Sequence, residues 1–126
     1  MDAEKNLIVL VSDDPTIQEE VRFGFPQVID VAVAPDSRAA WKLMEERRPS
    51  VAIIEIRTGS AGGFGLVRDM SQRIGLRDVP VLMLVEREQD RWLAETAGAE
   101  KVLVQPVDTA VLVTEALALR PAAASA

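Results

Sequence analysis

Five short apolar segments, spaced at fairly even intervals, constrain the fold of this chain more than any other feature. They are rich in β-branched residues and lie at Leu7 to Val11, Val28 to Val33, Val51 to Ile56, Val79 to Val85 and Lys101 to Val104. Their apolar character is continuous rather than alternating, which is typical of strands buried on both faces of a parallel sheet. The sequence therefore predicts a five-stranded parallel sheet with helices on each side.

A helical pattern follows each predicted strand. Pro15 suits the first turn of a helix, and Asp36 and Asp108 are suitable N-caps. The predicted helices run from Pro15 to Phe25, from the Asp36 cap through Met44, from Gly63 to Ile74, from Arg91 to Ala97, and from the Asp108 cap through Leu119. Right-handed crossovers between the strands then give a three-layer α/β/α sandwich.

The length of the chain fits one domain. It has 126 residues, of which 48% are hydrophobic, enough for one core but too few residues for a second domain. We expect that domain to span residues 1–120. The alanine-rich segment at residues 121–126 is expected to be a tail or the start of a linker.

The balance of charged residues argues against several classes of function. Twenty acidic against 14 basic residues give a net charge of −6, which opposes direct binding of nucleic acid. The apolar stretches are too short to span a bilayer, and the acidic start lacks a signal-peptide pattern, so we expect a cytoplasmic protein. The chain has no cysteine and no histidine, so any catalysis must depend on carboxylates or a metal.

Three carboxylates are candidate metal ligands. Asp13 and Asp14 follow the first predicted strand, and Glu55 lies near the end of the third. Ligands of parallel sheets collect at the carboxyl ends of the strands, and Mg²⁺ prefers oxygen ligands. We expect the three acids to lie within a few ångströms of one another, balanced by a cation, by a proton, or by Arg57 or Arg87. The alternative is that Asp13 and Asp14 are helix caps or solvated loop residues.

Several motifs, in order along the chain, point to a known family. They are Val11-Ser12-Asp13-Asp14-Pro15, Glu55, Gly62-Gly63, Val79-Pro80-Val81-Leu82-Met83-Leu84, Ala97-Gly98-Ala99 and Gln105-Pro106. With these motifs the chain resembles the receiver domain of two-component response regulators over nearly its whole length. The resemblance implies a flavodoxin-like fold with strand order 2-1-3-4-5, and a cis peptide bond before Pro106.

Four positions depart from the pattern that the resemblance implies. Glu55 stands where the family has the aspartate that accepts a phosphoryl group in the presence of Mg²⁺. Val85 replaces a hydroxyl residue, Gln105 replaces a lysine, and Val102 replaces an aromatic switch residue. A nucleophile displaced by about 1 Å can lose roughly 100-fold in transfer rate. We also expect the Gln105 amide to donate a hydrogen bond to Glu55.

These departures favour a pseudo-receiver, which is not an enzyme and acts by protein contact without phosphorylation. Two alternatives remain open. In the first, an acidic-pocket carboxylate still accepts a phosphoryl group with Mg²⁺. In the second, the chain is a small-ligand sensor, because Val85 and Val102 make the altered pocket more apolar.

The last helix predicts a partner surface. Its sequence is apolar on more than the one stripe that covers a sheet, so Val111 and Leu117 are expected to face outward, joined by Trp92 from helix four. We therefore expect a homodimer or a docked protein partner at helix four, strand five and helix five. The alternative is that Trp92 and Val111 pack against each other on a monomer.

Overall fold

The chain alternates strand and helix in a computed structural model that describes residues 3–55 and 62–121. The strands are β1 (Glu4–Val11), β2 (Asp30–Ala34), β3 (Pro49–Glu55), β4 (Val81–Val85) and β5 (Lys101–Val104). The helices are α1 (Pro15–Gly24), α2 (Ser37–Glu46), α3 (Gly62–Ser71), α4 (Arg91–Ala97) and α5 (Thr109–Leu119). A 3₁₀ turn, Glu88–Asp90, immediately precedes α4.

The strands form one parallel sheet in the order β2-β1-β3-β4-β5. This order confirms the predicted flavodoxin-like fold. The register aligns Val11 with Ile54 and Glu55 with Leu84, so the ends of β1, β3 and β4 lie close together at the carboxyl edge of the sheet.

Alternation along the strands divides the core into two layers. Leu7, Val9 and Val11 of β1 pack with the helices α2, α3 and α4. Ile8 and Leu10 pack with α1 and α5. Each strand therefore has apolar residues on both faces, which explains the continuous apolar runs in the sequence.

Local hydrogen bonds fix the helix starts and the turn after β5. Asp14, Asp36 and Asp108 accept N–H bonds from Thr16, Ala39 and Ala110 at 2.9, 2.8 and 2.8 Å, so all three aspartates are N-caps. The Gln105–Pro106 peptide bond is cis, as predicted. Within residues 3–55 and 62–121, no helix is long and apolar enough to cross a membrane.

Several element boundaries differ from the sequence prediction. β1 and β3 begin earlier, at Glu4 and Pro49, and β4 begins later, at Val81. β2 begins at Asp30, and Val28 lies in the preceding turn with 67% of its surface exposed. That turn forms because the N–H of Ile29 bonds the Pro26 carbonyl at 2.9 Å. β2 does not begin at Val28, because the Ile29 N–H bonds within the turn and is not available to the neighbouring strand.

The third helix is shorter than predicted and ends at Ser71. Beyond it, Ile74 is 82% exposed rather than packed on the sheet. The chain turns because Gly75 adopts a φ of 98°, a conformation that favours glycine, and the Leu76 N–H bonds the Arg73 carbonyl at 3.0 Å. The predicted last residue of the third strand, Ile56, lies outside the described ranges.

Candidate functional site

Three polar side chains meet at the carboxyl edge of the sheet. Ser12 follows β1, Glu55 ends β3 and Gln105 follows β5. The Ser12 hydroxyl donates to Glu55 Oε1 at 2.7 Å, and the Gln105 amide donates to Glu55 Oε2 at 3.4 Å. We call this arrangement the Ser12–Glu55–Gln105 cluster.

The Ser12 hydroxyl is held in one orientation. While it donates to Glu55, it also accepts the N–H of Asp14 at 3.1 Å. The Ser12 backbone is bonded as well, since its N–H donates to the Ala34 carbonyl at 3.0 Å and its carbonyl accepts the Gln18 amide at 2.6 Å. These bonds connect the end of β1 to β2 and to α1.

Glu55 is fully buried, with 0% of its surface exposed, and so is Ser12. A buried carboxylate is destabilising unless donors compensate for the water it has lost. Ser12 and Gln105 are neutral donors, so both carboxylate oxygens bind uncharged groups within the cluster. The predicted hydrogen bond from Gln105 to Glu55 is therefore present, although it is long.

The expected convergence of three carboxylates is not observed. Asp14 caps α1, and Asp13 is exposed to solvent. Among residues 3–55 and 62–121, no group of three or more His, Cys, Asp or Glu side chains could hold a metal ion. The physical reason is that the cap directs the Asp14 carboxylate toward the helix, and Ser12 occupies the position beside Glu55.

Two arginines, Arg57 and Arg87, were predicted as candidates to balance the charge of the acids. Arg87 pairs with Asp90, with its Nη2 3.5 Å from Oδ1, and its side chain is largely exposed. Arg57 lies outside the described ranges. The Ser12 hydroxyl and the Gln105 amide, both neutral, are two donors that bind Glu55.

Val85 and Val102 are both buried in the core layer beneath α2, α3 and α4. Ile53, two residues before Glu55, faces the opposite layer with α1 and α5. Neither valine lines the cavity that includes Gln105 in its wall. The cavity that Gln105 lines has a volume of about 30 Å³, close to the volume of one water molecule.

Ser12 is the site residue that the sequence analysis missed. The alternation of β1 could have revealed it, because Leu10 faces the α1 and α5 layer and Ser12 is two residues further. Glu55 is likewise two residues beyond Ile53, and Gln105 is two residues beyond Leu103, and both Ile53 and Leu103 face that layer. All three cluster members thus continue one face of the sheet.

A separate apolar surface lies on α4 and α5. Trp92, Leu93 and Val111 are 69%, 47% and 48% exposed. Leu117 was expected to face outward as well, but it is half-buried and packs against the α1 and α5 core layer. Leu93 was not predicted. We call Trp92, Leu93 and Val111 the α4–α5 surface.

Charged pairs lie on or next to the elements that carry this surface, and we call these pairs its border. Lys101 of β5 pairs with Glu115 of α5 at 3.1 Å, and Arg91 of α4 pairs with Glu88 at 2.8 Å. Arg91 also donates to the Val102 carbonyl at 3.1 Å. The hydrogen bond from Arg91 lowers the pKa of Glu88 below its ordinary value. The border therefore carries both signs of charge.

A parallel sheet in this order, with a carboxylate at the end of β3 and a cis proline after β5, defines the class of signal-receiver domains. The chain belongs to the response regulator receiver domain family, whose profile matches residues 8–117. It is thus a signalling domain of the two-component type.

Known proteins of this family resemble the chain over most of its length. An uncharacterized 14.6 kDa protein in the sodA1 3' region of Leptolyngbya boryana is 28% identical over 109 residues, covering 84% of this chain and 83% of that protein. The heme response regulator HssR of Staphylococcus aureus is 28% identical over 108 residues, or 83% of this chain. The match covers 47% of HssR, so this chain spans about half the length of that relative.

The fold is also found in solved structures. The receiver domain of a signal transduction histidine kinase from Syntrophus aciditrophicus superposes with a TM-score of 0.82 and 22% identity. The superposition covers 90% of this chain and 89% of that domain. At this identity the likeness concerns the fold.

Receiver domains typically bind Mg²⁺. The residues present here do not fit that ion. The Asp14 carboxylate caps α1, and the Glu55 carboxylate is buried against a hydroxyl and an amide that are both donors. A hard cation needs oxygen ligands with free lone pairs converging on one point, and no three carboxylates in the described ranges form such a group.

Proposed function

We propose that this receiver domain acts through protein contact and not through an acyl phosphate on Glu55. The observation that carries the proposal is the complete burial of Glu55 between Ser12 and Gln105. A nucleophilic carboxylate must approach the phosphorus in line with the leaving group. Glu55 Oε1 would have to give up its 2.7 Å bond to Ser12 before it could do so.

Two described residues near Glu55 differ from the groups that would stabilise a transferred phosphoryl group. Phosphoryl transfer depends on positive charge and preorganised donors around the oxygens that gain charge. At the positions where the resemblance implies a lysine and a hydroxyl, the chain has Gln105 and Val85. The amide is neutral, and the valine side chain is buried in the core layer on the other face. Neither replaces what the family residue would supply.

The proposed partner is a second copy of this chain, bound through the α4–α5 surface. Trp92, Leu93 and Val111 expose apolar area on α4 and α5, which cover opposite faces of the sheet that ends at β5, and a large aromatic side chain is a frequent centre of an interface. Pairs of both signs lie at the border, such as Lys101 with Glu115. Such a border suits a two-fold interface, in which the same patch must complement itself.

The decisive experiment is incubation of the purified domain with acetyl phosphate and Mg²⁺, followed by intact-mass spectrometry. We expect no phosphoryl adduct. In parallel, beryllofluoride with Mg²⁺ should leave the amide chemical shifts of Glu55, Val85 and Gln105 unchanged. The matched control is Glu55→Gln, which lacks a nucleophilic carboxylate at the same position.

An adduct on the wild type that disappears in Glu55→Gln would sink the proposal. Amide chemical-shift changes that spread from Glu55 to Trp92 and α5 on addition of beryllofluoride and Mg²⁺ would also contradict the proposal. Membership of the receiver family favours this competing function, a Mg²⁺-dependent phosphoacceptor. A small-ligand sensor would need a cavity beside Glu55, and ligand pockets usually have about 300 Å³ or more. The cavity of about 30 Å³ that Gln105 lines lies instead between residues of α1 and α5, so it does not support that alternative.

A further inference from the structure

We propose that Ser12 keeps divalent cations out of this edge of the sheet, because its hydroxyl binds Glu55 in the place of a cation. Ser12 is then a positioning residue, which holds the ends of β1 and β3 together without a metal. The inference rests on the proposed function, but its claim about metal binding can be disproved while the proposed function still holds.

The hydrogen bonds of Ser12 carry the first step. A serine hydroxyl has one proton, and Ser12 Oγ donates it to Glu55 Oε1 across an oxygen–oxygen distance of 2.7 Å. One lone pair of the same oxygen accepts the Asp14 N–H at 3.1 Å. The site beside Glu55 thus contains a donor, whereas a cation requires an oxygen that presents lone pairs.

The rigidity of the turn after β1 carries the second step. The Ser12 N–H bonds Ala34, and the Ser12 carbonyl accepts the Gln18 amide at 2.6 Å. Asp14 Oδ1 accepts the Thr16 N–H at 2.9 Å. To bring the Asp14 carboxylate to Glu55, the chain would have to break the cap of α1 and rotate this turn.

A substitution that reverses the chemistry of position 12 tests the inference. Ser12→Asp places a carboxylate where the hydroxyl now lies, within hydrogen-bonding distance of Glu55. Two carboxylates at that distance repel each other, and a divalent cation between them would relieve the repulsion. We therefore expect the Tm of Ser12→Asp to lie below that of the wild type without metal. It should rise by about 5 °C or more at saturating Mg²⁺.

A second buried serine in the described part of the chain offers a matched control. Ser50 is 1% exposed at the start of β3, and its hydroxyl donates to the Leu7 carbonyl at 3.0 Å. Ser50→Asp also buries a new carboxylate, but at the opposite end of the strand from Glu55. We expect Ser50→Asp to be destabilised with no recovery on addition of Mg²⁺.

The wild type is tested directly with Mn²⁺, whose unpaired electrons broaden NMR signals of nearby amides. We expect no selective broadening of Ser12, Asp13 or Glu55, and no change of Tm with Mg²⁺. Selective broadening there would overturn the inference, and if acetyl phosphate still gave no adduct the proposed function would stand. The inference would also be overturned if Ser12→Asp folded without responding to Mg²⁺, or failed to fold even in its presence.

Discussion

At the level of single residues, Glu55 is stabilised in the core by donors from two other strand ends. Ser12 binds one carboxylate oxygen and Gln105 the other, at 2.7 and 3.4 Å. The shorter bond is the stronger one by distance, and hydrogen bonds to charged groups contribute more than neutral ones. Ser12 should therefore contribute more to the stability of the cluster than Gln105.

Ser12→Ala is expected to lower the free energy of unfolding by about 1 to 3 kcal/mol, because it leaves a buried carboxylate oxygen without its donor. Urea unfolding followed by circular dichroism measures this change. Ser71→Ala is the control, since its exposed hydroxyl donates only to the Arg68 carbonyl within the same turn. It should change the free energy by less than about 0.5 kcal/mol.

A second substitution separates this explanation from a simple packing defect. Ser12→Ala combined with Glu55→Leu removes the hydroxyl and the carboxylate together, so no carboxylate is left unsatisfied, and the long bond from Gln105 is lost as well. We expect the double variant to be more stable than Ser12→Ala alone. If the double variant were less stable than Ser12→Ala, the lost hydrogen bond would not explain the destabilisation caused by Ser12→Ala.

The sequence predicted some of these residues and missed others for a physical reason. Asp36 and Asp108 were identified as caps, because capping depends only on residues within one turn. Ser12 was missed because the acids beside it, Asp13 and Asp14, suggested a metal site. Only the position of Ser12 on the same face as Leu10 and Glu55 shows its role, and that requires the register between strands.

At the level of elements, α3 approaches β3 closely at Gly63. A Cβ added there would lie 2.9 Å from the Glu55 carbonyl oxygen and 3.0 Å from both Ile54 Cγ2 and Met83 Cε. The carbonyl oxygen belongs to the backbone and cannot move aside without shifting β3. The first turn of α3 therefore depends on glycine at this position.

Gly63→Ala should destabilise the domain by about 1 to 3 kcal/mol, the usual cost of overpacking. The measurement is chemical unfolding. Gly75→Ala provides the contrast, because no heavy atom lies within 4 Å of the added Cβ and only the φ of 98° opposes it. Its expected cost is about 1 kcal/mol. A Gly63→Ala variant as stable as the wild type would contradict the close approach of α3.

A cluster of charges connects three elements at the other end of the sheet. Arg47, which follows α2, bonds Glu4 of β1 at 2.8 Å and Asp30 of β2 at 2.9 Å. The hydrogen bond from Arg47 lowers the pKa of Glu4 below its ordinary value. Because the folded-state pKa is lowered, the contribution to stability is present above the ordinary pKa. It is lost as the pH falls through the lowered value.

We therefore expect Arg47→Met to reduce the acid sensitivity of the Tm in the pH range below the ordinary pKa of glutamate. As the pH falls through that range, the Tm of the wild type should decrease more steeply than the Tm of the variant. Near neutral pH, the two plots of Tm against pH should run parallel. Lys42→Met is the control, since it removes an exposed cation of α2, the helix that precedes Arg47. Parallel curves for the wild type and Arg47→Met throughout the acid range would contradict this explanation.

At the level of the whole molecule, the fold was predictable because it depends on pattern more than on detail. Five continuous apolar runs separated by helical periods specify a parallel sheet with two covered faces. The exposure of Val28 and Ile74 was not predictable in the same way. Each depends on a turn that a few backbone hydrogen bonds create, and the apolar pattern does not distinguish such residues from the core.

The association of whole molecules provides the last prediction. Trp92 is 69% exposed on the α4–α5 surface, and burying a tryptophan at the centre of an interface commonly contributes about 2 kcal/mol or more. If two copies associate through this surface, Trp92→Ala should weaken the dimer by roughly 30-fold or more. Sedimentation equilibrium over a range of concentrations measures the change.

Two other exposed apolar residues serve as controls, because nonspecific hydrophobic association would involve them equally. Phe23 and Ile74 are 81% and 82% exposed, more than Trp92, and lie on α1 and in the turn after α3. Phe23→Ser and Ile74→Ser should leave the dissociation constant unchanged. Equal weakening in all three variants would indicate nonspecific association. A wild type that remained monomeric would remove the second copy as the partner of this surface.

Tryptophan fluorescence locates the interface independently of mass. Trp41 is half-buried against the core, and the Arg73 guanidinium lies 5.6 Å from its ring centre, so a Trp41→Phe background leaves Trp92 as the reporter. Dilution through the dissociation constant should then shift the emission to the red, because Trp92 returns to water as the copies separate. An emission maximum that stays constant while the mass falls by half would place the interface elsewhere on the domain.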